Sequence, residues 1–195
     1  MLSDRIEQME ESATLMMDRK APELRSQGRE VISLSLGEPD FDTPEHIKNA
    51  AWEALQQGYT KYTPVPGLIE LREAICEKFQ RDNGLSYDPD QIVVSNGAKQ
   101  SIANVCLSLL NPGDEVILFT PYWVSYYEII RLAGAVPVCV TAGIEDDFKV
   151  RPEQLEEAIS DKSKLIIFSS PCNPTGSVFT AEEYKDLAAV IESHD

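Results

Sequence analysis

From Gln91 onward, short apolar runs alternate with segments of helical period, and no other feature narrows the possible folds as much. Strands are expected at 92–95, 115–119, 136–140 and 164–169, and helices at 98–110, 123–133, 152–159 and 181–193. Ile92, Val93 and Val94 are continuous and β-branched, as in a strand buried on both faces. Pro112-Gly113-Asp114 and Gly134 punctuate the series, and Thr180 with Glu183 forms a capping box for the last helix. Such alternation implies an α/β chain: a mostly parallel sheet with helices on both faces. Helix 181–193 runs to His194-Asp195 without delivering a strand, which reads as a cut inside a βα unit.

The upstream part is less regular. Residues 4–17 read as an amphipathic helix with Ile6, Met9, Ala13, Met16 and Met17 on one side, and Pro22 and Gly28 interrupt the next stretch. Val31 to Leu36 reads as a strand entering the turn-rich loop Gly37 to Pro44. Thr43 is expected to cap a helix that begins with Pro44, buries Ile47, Ala50, Ala51, Ala54 and Leu55, and stops at Gly58. After the polar, aromatic loop 59–67, a helix over 68–83 turns Leu68, Leu71, Ile75 and Phe79 inward and stops at Gly84.

The turn Ser95-Asn96-Gly97-Ala98 joins an expected strand to an expected helix that carries Ile102, Val105, Cys106 and Leu109 at helical spacing. Backbone N–H groups converge at such a helix start, and the helix dipole favours an anion there, typically a phosphate. Similar capped turns also occur where nothing binds, so the turn alone identifies no ligand. Loops follow other strands at Pro121-Tyr122-Trp123 and at Ser170 to Gly176, where open α/β sheets bind ligands. Each has a plain structural reading as a turn or a core anchor.

Composition excludes more than it selects. The 195 residues carry 33 acidic and 17 basic side chains, a formal charge of −16, which opposes nucleic acid and anionic membrane as partners. The first residues mix charges and do not read as a secretory leader, and no apolar run approaches membrane-spanning length. Cys76, Cys106, Cys139 and Cys172 are widely spaced and read as free thiols of a cytoplasmic protein. His46 and His194 lie far apart, and no metal-site spacing exists.

Five runs in order then carry a resemblance. They are Gly37-Glu38-Pro39-Asp40-Phe41; Lys61-Tyr62-Thr63-Pro64 with Gly67 to Arg72 after it; Asn96 to Gln100; Pro121 to Tyr126; and Asn173-Pro174-Thr175-Gly176. From about residue 5 to its last residue the chain resembles the aspartate aminotransferase family, class I of the pyridoxal 5'-phosphate (PLP) enzymes. The resemblance implies the first part of the large PLP-binding domain over 45–195, with an N-terminal arm and part of a small domain over 1–44. It implies that Gly97, Ala98 and Lys99 cradle the cofactor phosphate. Trp123 would stack on the pyridine ring and border the substrate, and Asn173 would donate to the ring's phenolic oxygen beside the substrate. Gly37 would meet the substrate carboxylate through its backbone, and Tyr62 would reach the phosphate of a neighbouring subunit in a homodimer.

The resemblance also implies an absence: the family's Schiff-base lysine lies beyond Asp195, so no catalytic residue is expected within the chain. The expected parent reaction moves an amino group from aspartate or a similar amino acid to a 2-oxo acid. A truncated chain that binds phosphate or a partner without turnover stays open, as does a lyase or another aminotransferase of the same fold. A nucleotide-binding doubly wound domain is disfavoured because the turn lacks G-x-G-x-x-G.

Overall fold

The computed structural model describes residues 2–7, 9, 13–34 and 37–194. By compactness the chain forms two units, Met1–Ser35 with Ile102–Asp195, and Leu36–Ser101.

The first unit holds three parallel strands, β1 (Glu115–Thr120), β2 (Val136–Thr141) and β3 (Ser163–Ile167), in the order β2-β1-β3. Glu115 pairs with Val136, and Thr120 with Thr141, along β1 and β2, while Val116 to Leu118 pair with Leu165 to Ile167 of β3. The side chains of β1 sort by the two-residue period of a strand. Val116 and Leu118 face one core with Cys106, Leu110, Ile129 and Ile130, and Ile117 and Phe119 face the other with Val140, Leu155 and Leu187. Each such fully buried apolar side chain contributes roughly 1.5–3 kcal/mol.

The helices obey the same division. The first core receives α5 (Ala98–Leu109) and α6 (Ser125–Leu132), and the second receives α7 (Pro152–Ala158) and α8 (Ala181–Glu192). The chain passes from β1 through α6 to β2, then back across β1 through α7 to β3. Opposite directions of travel need opposite faces if both crossovers are right-handed, so the strand order dictates the helix placement. The expected α/β fold with helices on both faces is therefore present.

Local chemistry explains the helix ends that agree with expectation. Thr180 Oγ1 accepts the Glu183 N–H at 3.2 Å, and Glu183 Oε2 accepts the Thr180 N–H at 2.6 Å, which closes the capping box. In the second unit, α3 (Glu45–Gln56) ends just before Gly58 at φ +84°, and α4 (Ile69–Asn83) ends at Gly84 with φ +68°.

Other expectations are corrected. Residues 92–95 form no strand: the Val94 N–H goes to the Pro66 carbonyl at 2.9 Å, and no described strand pairs with them. Residues 31–34 are likewise not a strand, and 35–36 lie outside the described residues. The expected helix 4–17 is α1 (Asp4–Glu7) and then α2 (Ala13–Ser26), with residues 8 and 10–12 outside the described residues. α2 contains Pro22 rather than stopping at it. Pro44, not Thr43, stands at the cap of α3, and no side chain bonds there. The apolar stripe of α3 is uncovered, with Ile47 49% and Leu55 55% exposed. On α4 the buried residue is Arg72, whose guanidinium donates to the Pro89 carbonyl at 2.9 Å, while Leu71 is exposed. α5 buries Cys106 and leaves Val105 and Leu109 exposed.

Candidate functional site

The second unit carries Gly37, Tyr62, Gly97, Ala98 and Lys99, and the first carries Trp123 and Asn173.

In the second unit, Gly97 stands at φ +88° immediately before α5, a conformation that favours glycine. A Cβ built there would meet nothing within 4 Å, so the backbone is open on that side. The Gln100 side-chain oxygen accepts the Asn96 N–H, and the Gly97 carbonyl accepts the Gln100 and Ser101 N–H groups, which close the first turn. The first turn of a helix leaves amides without intrahelical acceptors. α3, α4, α6, α7 and α8 each place an acidic residue in that turn, whereas α5, like α2, has none. An acid there answers the helix dipole from within; its absence leaves the start of α5 suited to an outside anion. Lys99 is exposed beside it. Tyr62 is fully exposed, and Gly37 is exposed with open space around it. The loop before α4 is held by Val94: its N–H reaches Pro66, and its side chain lies where a Cβ on Gly67 would stand.

In the first unit, β1 and β3 are adjacent and parallel, so the loops after them leave the sheet at the same edge. Pro121-Tyr122-Trp123 comes directly after β1, and Ser170 to Gly176 lies beyond β3. Cys172 Sγ donates to the Pro121 carbonyl at 3.4 Å and joins the two loops. The second loop is closed on itself. The Cys172 N–H donates to the Ser177 carbonyl, the Gly176 N–H to the Cys172 carbonyl, and the Asn173 N–H to Ser169 Oγ. Asn173 is left exposed at the tip. The Thr120–Pro121, Ser170–Pro171 and Asn173–Pro174 bonds are all cis.

Trp123 is half-buried, with its ring perpendicular to that of Tyr126 and the centroids 5.4 Å apart. Tyr122 stacks with Tyr127 at 6.3 Å and 4°. Burial first, and then the Cys139 thiol to which it is hydrogen-bonded, push the Tyr122 hydroxyl up to about 12, so it stays protonated at neutral pH. The roles of Tyr126, Tyr127 and the Cys172 link are not apparent from sequence. The run Tyr126-Tyr127 at the start of a helix after Pro-Tyr-Trp is their one available signal there.

A family model described as aminotransferase class I and II matches residues 29–195. The chain belongs to this family. It is 52% identical over 193 residues to the aspartate/prephenate aminotransferase of Cereibacter sphaeroides, covering 99% of this chain and 48% of that protein. It is 50% identical over 190 residues to the aspartate aminotransferase of Bacillus sp. YM-2, covering 97% and 48%. Among solved structures, the aspartate aminotransferase of Rhizobium meliloti superposes with a TM-score of 0.95 at 42% identity, covering all of this chain and 48% of that one. The Thermus thermophilus aspartate aminotransferase with maleate gives 0.94 at 49% identity, covering all of this chain and 51% of that one. This aminotransferase chain thus spans about half the length of the curated relatives it matches. Among its described residues no helix is long and apolar enough to cross a membrane, and no cluster of metal-binding side chains occurs.

Proposed function

We propose that the protein is a PLP-dependent aminotransferase that moves the amino group of aspartate, or of a similar amino acid, to a 2-oxo acid. The observation that carries this reading is the start of α5, free of acid and opened by Gly97, in a chain of the class I and II family. The names of the aspartate and aspartate/prephenate relatives support the choice of substrate.

The residues suit the group they would hold. Ala98 and Lys99 would take the PLP phosphate through first-turn N–H groups, each charge-assisted bond contributing roughly 1.5–3 kcal/mol, while Gly97, whose own N–H donates to the Ser95 carbonyl at 2.8 Å, would keep the cradle open by its lack of a side chain. Trp123 would cover one face of the pyridine ring. The Asn173 amide would donate to the ring's phenolic oxygen, and Gly37 would meet the substrate carboxylate through its backbone. Bound PLP would supply an electron sink for the carbon that loses its proton. Tyr62, fully exposed here, would serve a phosphate in the neighbouring subunit of a homodimer. Residues 1–44 would form an arm and part of a small domain, and 45–195 the first part of the large domain. The lysine that binds PLP covalently would come from chain beyond residue 195, and these residues alone would not turn substrate over. A cytoplasmic location fits this reading.

The test compares the 195-residue chain with one extended to its relatives' length. The extended chain should retain PLP and transfer amino groups from aspartate to 2-oxoglutarate, and the short chain should not. In the extended chain, Asn173→Ala should lower turnover more than it lowers PLP retention, and Tyr62→Phe should weaken retention by roughly 1–3 kcal/mol without dissociating the dimer. Normal transamination with Trp123 and Asn173 both changed to Ala would remove these two residues from the site.

A further inference from the structure

We propose that Tyr126 is a positioning residue that sets the plane of the Trp123 indole, and hence the face Trp123 offers to a flat ring. The proposal rests on the reading of Trp123 as the stacking face. Trp123 lies on the loop between β1 and α6 and is half-buried. Tyr126 is in the first turn of α6 and only 9% exposed, packed in the core with Val116, Leu118, Ile129 and Ile130. Its ring therefore has the rigidity of the core, and it meets the indole at 90° with centroids 5.4 Å apart. That is the edge-to-face arrangement in which the electropositive rim of one ring meets the electronegative face of another, so it favours one orientation and not merely contact. The Tyr126 N–H also donates to the Trp123 carbonyl at 3.0 Å, which ties the backbones in the same register.

The next residue performs a separate task. Successive helical positions point about 100° apart, so Tyr127 faces elsewhere and stacks on Tyr122, with the Arg131 guanidinium 5.8 Å from its ring centre. Consecutive tyrosines of α6 thus hold consecutive residues of the loop. The first meets the Trp123 ring, and the second provides a control from the same helix.

The chain has two tryptophans, so Trp52→Phe leaves Trp123 as the single indole reporter. In that background the near-ultraviolet circular dichroism of the indole measures whether Trp123 holds one orientation. Tyr126→Phe keeps the aromatic ring and should preserve the band. Tyr126→Leu, with Tyr126→Met as a second non-aromatic filler should the first fail to fold, should reduce it at least about twofold, since bulk remains but the perpendicular aromatic partner is gone. Tyr127→Leu should preserve it. Failure of the stacking reading would look different: in the extended protein PLP would quench indole fluorescence equally in Trp52→Phe and in Trp52→Phe/Trp123→Phe, whatever the band does. The proposal for Tyr126 is overturned if a folded non-aromatic variant keeps the full band, or if Tyr127→Leu diminishes it equally.

Discussion

Cys172 and Pro121 are 51 residues apart, yet the Cys172 thiol donates to the Pro121 carbonyl across 3.4 Å. One weak hydrogen bond thereby couples the loop that carries Asn173 to the loop that carries Trp123. Cys172→Ser keeps a donor, whereas Cys172→Val fills the space without one. The Val variant should lose about 0.5–1.5 kcal/mol relative to the Ser variant. Urea unfolding monitored by circular dichroism measures the difference, and equal midpoints would show that the contact contributes nothing.

Gly67 stands at φ +103°, and a Cβ there would lie 2.7 Å from Val94 Cγ2. Gly67→Ala therefore combines an unfavourable backbone conformation with a clash and should cost roughly 1–3 kcal/mol. A double-mutant cycle with Val94→Gly, which also removes the Val94 Cβ that would lie 2.8 Å from the new one, separates the two parts. Removing the Val94 side chain should relieve the clash and leave the conformational strain, so the cycle should show partial recovery. Strict additivity would mean that Val94 does not contribute.

The acid-free start of α5 makes opposite predictions for folding and binding. Ala98→Asp puts a carboxylate at the first helical position, where the dipole favours it by about 0.3–1 kcal/mol. Thermal stability should hold or rise. PLP retention by the extended protein should fall at least tenfold, about 1.4 kcal/mol, because the new charge occupies the place of the phosphate. Unchanged retention after dialysis would move the phosphate elsewhere.

Glu183 joins α8 to the preceding loop. The Thr180 backbone N–H first, and then Lys149 at 3.1 Å, hold its carboxyl below the ordinary value of 4.5. A depressed native pKa adds stability above the unfolded value, and that stability disappears as pH falls through the native value. Melting temperatures of the parent and Glu183→Gln should therefore differ at pH 7 and converge below pH 4.5. A gap that persists to lower pH would assign the effect to shape rather than charge.

Local chemistry made part of this protein legible in its sequence. The Thr180–Glu183 cap, the stops at Gly58 and Gly84 and the apolar run of β1 depend on residues close together in the chain, and each stands where the pattern places it. The turn before α5 was legible for the same reason: a glycine and a helix start are both local.

Tertiary structure decided whatever needs a partner from elsewhere. Residues 92–95 have strand composition but no described strand beside them, and a β-ladder is made by neighbours, not by propensity. Arg72 is buried on α4 because carbonyl oxygen from Pro89 comes within reach, while the apolar stripe of α3 stays exposed because nothing among the described residues covers it. Which aromatic ring stands perpendicular to Trp123, and which carbonyl receives Cys172, was settled by packing, since burial and hydrogen bonding depend on groups the chain brings together only when it folds.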